Sequence, residues 1–144
     1  MKKVSLLCSL ALAMIVSVSM TAQSPVGLWK TIDDESGEAK SHVEIYEKDG
    51  KFFGKVVKLL PKATTDVCGP CPGERAGKSL IDMDILWDLT AYKDYWSYGN
   101  IVDPGNGKIY KASLWIEDEN TLKLRGYIGI SVLGRNQNWY RVTE

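Results

Sequence analysis

The strongest constraint on this chain is the rhythm of its apolar residues. They fall in short alternating runs broken by turn signals, and nowhere do they repeat at helical spacing over a long stretch. Alternation sends successive side chains to opposite faces of a strand. Tyr110, Ala112, Leu114 and Ile116 share one face, and Leu122, Leu124, Gly126 and Ile128 alternate with Thr121, Lys123, Arg125 and Tyr127. Earlier in the chain, Ser41, Val43 and Ile45 face away from His42, Glu44 and Tyr46. A first strand over Val26 to Ile32 and a last one over Asn138 to Val142 complete the pattern.

The punctuation agrees. Asp49-Gly50 favours a tight hairpin, and Pro104-Gly105-Asn106-Gly107 is a turn by composition. Between Pro61 and Lys78 the alternation stops, and Pro, Gly and Cys describe a loop of uncommon length. Beyond it, Met83, Ile85, Trp87 and Leu89 alternate with Asp84, Leu86 and Asp88. A helix there would spread Asp82, Asp84 and Asp88 around its circumference and leave no apolar stripe, so the segment reads as a strand. The expectation is all-β: a single antiparallel meander of about eight strands with one long Cys-containing loop. Closure into a barrel removes the unpaired edges; a sandwich of two sheets is the alternative.

The N-terminus reads differently. Met1-Lys2-Lys3 precedes an uncharged run from Val4 to Met20 that exits through Ser19-Met20-Thr21-Ala22. These are the parts of a secretory signal peptide cut near Ala22, and the run falls just short of the roughly 20 apolar residues of a membrane anchor. Cys8 sits inside the apolar run, not after it as a lipoprotein would require. The domain expectation is residues 1–22 as signal peptide and residues 23–144 as one β domain, periplasmic or secreted. Without Lys2 and Lys3 the chain keeps 16 basic against 18 acidic residues, a net charge of −2. No basic face appears, which argues against nucleic acid, and nothing later in the chain is long enough to span a membrane.

Cys68-Gly69-Pro70-Cys71 spells a thioredoxin-type motif. That chemistry needs a helix N-terminus to stabilise the thiolate, and Pro72-Gly73 followed by Gly77 breaks any helix. The motif therefore reads as a local disulfide, Cys68 to Cys71, pinning a loop in an oxidising compartment. Two cysteines and a single histidine, His42, do not make a four-ligand zinc site. No nucleophile elbow, calcium loop or phosphate cradle is present, so neither cofactor nor metal is expected. The aromatic content is heavy, with five Trp and seven Tyr. Trp87, Tyr95, Trp96, Tyr98, Tyr110 and Trp115 are candidates for the wall of a ligand pocket, although aromatics in a small β domain are first of all core formers.

Gly27-Leu28-Trp29 near the start and Trp139-Tyr140-Arg141 near the end resemble the closed-end device of lipocalin-like barrels, in which an arginine stacks on the tryptophan. Alternation does not decide between Arg125 and Arg141 for that part. The segments Gly99 to Tyr110, Leu122 to Gly129 and Gly134 to Arg141 are similar to the bacterial family called domain of unknown function 2147. The resemblance spans essentially residues 23–144. This chain departs from the family pattern at Asn100, where a second Gly is usual, and at Tyr127 and Leu133, where many members carry cysteines. It implies structural roles for Asp103, Pro104 and Gly107 in a hairpin turn and for Gly126 and Gly129 where strands bend or pack closely. It implies no activity.

The leading functional expectation is an exported barrel that binds a small apolar or amphipathic ligand. A non-catalytic envelope structural or protein-interaction domain is the second, and a thiol–disulfide oxidoreductase working through Cys68 and Cys71 the third. A binding module requires a continuous cavity of at least roughly 300 Å³.

Overall fold

The computed structural model describes residues 23–130 and 133–143 together with Ser17. The leader expected over residues 1–22, apart from Ser17, lies outside the described residues. Eight strands follow one another: β1 Gly27–Ile32, β2 Ala39–Lys48, β3 Lys51–Leu59, β4 Asp84–Tyr92, β5 Tyr95–Val102, β6 Ile109–Asp118, β7 Thr121–Tyr127 and β8 Arg135–Arg141. Each pairs antiparallel with its neighbour in sequence, and β8 returns to β1 through Trp29 with Arg141 and Thr31 with Trp139. The meander is a closed barrel, in which every strand among the described residues has a neighbour on both sides.

Tight turns gather at one end. Asp49 and Gly50 both take left-handed backbone (φ 53° and 76°), the hairpin geometry that Asp-Gly favours. Lys93-Asp94 and Glu119-Asn120 close the other two hairpins on that side. Residues 33–38, 60–83, 103–108 and the β7–β8 loop connect strands at the opposite end.

The inward positions make the core. Trp29, Val43, Ile45, Leu86, Leu89, Ala112, Leu114 and Leu122 are fully buried, with Trp139 almost so. Fully burying one such side chain contributes about 1.5–3 kcal/mol, so this shared interior carries most of the barrel's stability. The faces expected from alternation hold in β2, β6 and most of β7.

Alternation misleads in β4. Leu86, grouped with the aspartates, is fully buried, and Trp87, grouped with the apolar side, is turned away from the axis beneath Arg75. Asp88 and Tyr98, on the paired strands β4 and β5, both take left-handed backbone with φ 61°. These matched irregularities let Leu86 and Leu89, three residues apart, both point inward. Gly99 makes the room: a Cβ there would lie 2.5 Å from Leu89 Cγ. The aspartates separate accordingly, Asp84 accepting a hydrogen bond from Tyr46 (2.7 Å) and Asp88 meeting Lys51 (3.6 Å). Three boundaries also differ. Tyr95, Trp96 and Tyr98 belong to β5, β8 begins at Arg135 and not at Asn138, and Ile128 lies beyond β7 in the loop, 61% exposed.

Candidate functional site

The two barrel ends are built by different means, and the closed one explains why the other is open. Trp29 lies across the barrel floor and donates its indole N–H to the Pro25 carbonyl (2.8 Å). The Arg141 guanidinium covers the ring at 4.3 Å and donates through Nε to the Glu119 carbonyl (2.8 Å). Gly27 permits this: a Cβ there would lie 2.6 Å from Arg141 Nη1. Arg141 therefore takes the capping part. Arg125 instead donates to the Asn136 side chain (2.7 Å).

At the opposite end the side chains stop short of filling the barrel and leave a cavity of about 390 Å³. Its apolar wall comes from Val56 and Leu59 of β3, Ile85 of β4, Val102 of β5 and Leu124 of β7, over a floor that includes Trp139. Thr31 and Ser41 add hydroxyls that bond each other (2.8 Å). Gln137 accepts from the Trp139 indole N–H (3.1 Å) and donates to Asp34 (3.3 Å). The Tyr110 hydroxyl accepts from Asn106 (3.3 Å). Among the described residues, no buried side-chain polar atom lacks a partner. The buried polar groups of the cavity are thus satisfied, and its rim carries the exposed side chains of Asp34, Glu35 and Arg135.

Two turns of the same construction frame the mouth. Asp33 accepts the backbone N–H groups of Glu35 (3.0 Å) and Ser36 (2.8 Å), and Gly37 closes the turn with φ 72°. Asp103 accepts the Gly105 N–H (2.8 Å), its carbonyl takes the Gly107 N–H (2.7 Å), and Gly107 has φ 73°. The Ser36 N–H holds the Asp33 carboxyl below its usual range. Between the first turn and β8, Arg135 bridges Asp34 (2.8 Å) and Glu35 (3.0 Å).

The long loop forms the remaining wall. Leu80 is buried and lines the cavity with Ala63, Thr64 and Thr65. Cys68 and Cys71 are disulfide-bonded and buried. The Cys68 N–H and carbonyl bond Lys78 (2.8 Å) and Gly77 (2.9 Å), which folds the loop on itself. Gly107 is pressed against this fold so closely that a Cβ would run into the Pro70 carbonyl. The cysteine pair is thus a buried staple between the loop and the Asp103 turn. A thiolate able to attack a substrate needs access, and neither sulfur has it.

Of the six aromatics expected to wall a pocket, Tyr110 lines the cavity, and of the residues given structural roles Asp103, Pro104, Gly126 and Trp139 line it. The other five lie elsewhere. Trp87 is half-buried under Arg75 at 3.9 Å, and Trp96 packs edge-on against Phe52 at 5.9 Å. Tyr95 and Tyr98 both meet Tyr92 edge-on, at 5.4 and 5.7 Å, and Trp115 donates to Glu117 (3.0 Å). Trp115 lies between Leu114 and Ile116 in sequence and so on the strand's other face, and the inward parity of β6 keeps it out of the interior. His42 is half-buried on the face of β2 opposite Val43. Thr31, Ser41 and Gln137 were not singled out from sequence; the signal was their parity with Trp29, Val43 and Trp139.

A family model described as an uncharacterized protein conserved in bacteria (DUF2147) matches residues 27–141, from the first residue of β1 to the last of β8. Among solved structures, the chain is similar to protein HP1028 from the human pathogen Helicobacter pylori, described as belonging to the lipocalin family. The identity is 19%, the TM-score 0.73, and 84% of each chain is covered, so the likeness is one of fold. No curated protein matches.

Proposed function

From the premise that this chain belongs to the DUF2147 family and folds as a lipocalin-like barrel, we propose that it binds a small amphipathic molecule in the open end of the barrel. The observation that carries the reading is the cavity of about 390 Å³, walled by aliphatic side chains and closed below by Trp139. Its volume falls in the lower part of the roughly 300–1,000 Å³ range of ligand pockets, which favours a compact guest. The aliphatic wall selects for size and apolar surface, and Tyr110, Thr31 and Ser41 are able to redirect a hydroxyl toward a polar head. A disulfide buried in the wall fits an oxidising compartment, and export with removal of residues 1–22 belongs to the same reading. Of the described residues, none group as a metal cluster, and no helix is long and apolar enough to cross a membrane.

The test is native mass spectrometry of the protein recovered from its own host, beside a Gly126→Leu variant. Gly126 lines the cavity, and a Cβ there would meet Tyr110 and Ile101 at ordinary contact distances of 3.6 and 3.8 Å, so a larger side chain fills the space without strain in the backbone. A co-purified mass on the wild type that disappears in the variant is the expected result. Repeated recovery of bare wild-type protein, with no uptake of an amphipathic probe such as anilinonaphthalene sulfonate, would overturn the reading.

A further inference from the structure

The long loop over residues 60–83 carries a short ribbon of its own. Val67 and Ser79 bridge antiparallel, the Leu80 N–H bonds the Asp66 carbonyl (2.9 Å), and the Cys68 N–H bonds the Lys78 carbonyl (2.8 Å). One end of this ribbon places the buried Leu80 in the cavity wall. The other end is the ring that the Cys68–Cys71 disulfide closes, and its Pro70 carbonyl abuts Gly107. Gly107 ends the turn that begins at Asp103, and Asp103, Pro104, Gly105 and Asn106 of that turn also line the cavity. The disulfide ring is therefore the joint between two segments that wall the same space.

The barrel closes without that joint. Its eight strands pair with one another, and a disulfide between cysteines three residues apart removes little chain entropy from the unfolded state. What the bond fixes is the shape of the ring that meets Gly107, whose left-handed backbone and missing Cβ let Pro70 approach. A second anchor ties the same loop elsewhere. Arg75 covers Trp87 at 3.9 Å, and its Nε donates to the Asp84 carbonyl (3.1 Å). Opening the disulfide therefore frees the ring from the Asp103 turn while the loop stays fastened to β4. A local opening of this kind costs far less than unfolding the barrel.

We propose that the Cys68–Cys71 disulfide is a redox-sensitive latch on the cavity, an inference that rests on the ligand-binding reading. With the bond closed, the loop and the Asp103 turn stay joined and the wall holds a guest. A dithiol reductant opens it. One thiolate attacks a sulfur of the pair, a mixed disulfide forms, and the second thiol of the reductant displaces the cysteine still attached. Two electrons and two protons pass to Cys68 and Cys71, and the dithiol leaves as a disulfide. Both sulfurs are buried, so the attack waits for the ring to lift off Gly107. A guest that holds the wall together opposes that lift, so binding and reduction are coupled in both directions.

The test compares uptake of anilinonaphthalene sulfonate by the full chain in oxidised and in reduced dithiothreitol, beside Cys68→Ser combined with Cys71→Ser. The variant keeps Cys8, so any effect of the reductant through that residue shows in both proteins. Reduced wild type and the variant are expected to bind the probe at least about fivefold more weakly than oxidised wild type, and the variant to ignore the reductant. Saturating probe should shift the dithiothreitol ratio that half-reduces the wild type by the same factor. Amide exchange at Gly107 should accelerate on reduction while the Trp29 indole stays protected. Equal affinity of oxidised and reduced wild type overturns the latch and leaves the pocket standing. So does unchanged exchange at Gly107, and so does loss of Trp29 protection, which would make the disulfide a support of the whole barrel. Uptake by none of the proteins removes the pocket itself, and the latch with it.

Discussion

The two ends of this barrel solve opposite problems with the same strands. The closed end uses two-residue turns and one stacked pair, Arg141 over Trp29, whose donors are spent on the carbonyls of Glu119 and Pro25. The open end spreads its stability over long connections, two Asp-held turns and a disulfide-stapled loop, and encloses space. Tight turns and the stacked pair seal one end, and the cavity lies where the connections are long. A substitution at the first end should therefore unfold the molecule, and one at the second should alter the cavity before it alters the fold.

The largest test of that division is Trp29→Ala. Trp29 is fully buried, and truncating a buried aromatic costs about 3–5 kcal/mol. Arg141 also loses the ring it covers. Chemical denaturation should show the barrel losing most of its stability as one cooperative unit. A loss of under about 1 kcal/mol would mean the closed end is not where the fold is held.

Next in size is Gly107→Val. The residue needs a left-handed backbone at φ 73°, and any Cβ meets the Pro70 carbonyl. Strain and displacement together should cost about 1–3 kcal/mol. The loop would lift off the Asp103 turn, and the cavity would change shape because Leu80, Ala63 and Thr64 move with it. Amide exchange should accelerate around Val67 and Ser79, the small bridge inside the loop, while the Trp29 indole stays protected. Equal acceleration at both ends would erase the distinction.

How much of this was legible beforehand follows the same division. Local signals spoke clearly: Asp49-Gly50 gave its hairpin, the parity of Leu122 and Leu124 gave their faces, and Gly27-x-Trp29 pointed to the capped end. The cysteine motif was separated from its catalytic look-alike by Pro72, Gly73 and Gly77, which break a helix after it. What failed to show was anything decided by pairing across the sheet. Asp88 looks like one more polar residue of an alternating strand until it and Tyr98, on the neighbouring strand, both take left-handed backbone and the parity shifts. The candidate aromatics were chosen by residue type, and only Tyr110 had the register to face the cavity. Arg141 and Arg125 were equivalent on paper because the partner of a long side chain is set by what lies across the barrel, not along the strand.

The smallest prediction sharpens the comparison most cheaply, because it uses acid instead of a large mutation. Asp33 is held below its ordinary pKa first by the Ser36 backbone N–H, then by the Ser36 hydroxyl, the Glu35 N–H and the charge of Lys40, against the effect of burial. A carboxyl whose folded pKa is depressed adds stability above its unfolded value, near 3.8, and that stability is lost as pH falls through the lower folded value. The carboxylate is partly solvated, so the effect should stay under about 1 kcal/mol. Asp33→Asn keeps an oxygen to accept the Ser36 N–H but has no proton to gain. The variant should start slightly less stable near neutral pH and show a flatter decline in acid than the wild type. Exchange at the Gly37 amide, which bonds the Asp33 carbonyl (2.8 Å), reads the turn directly. At the closed end the capping contacts run from a guanidinium and an indole to backbone carbonyls and involve no carboxylate, so the Trp29 indole should report no difference between the two proteins. Parallel acid profiles at Gly37 in both proteins would show that the charge on Asp33, as opposed to the hydrogen bonds it accepts, does nothing for the open end.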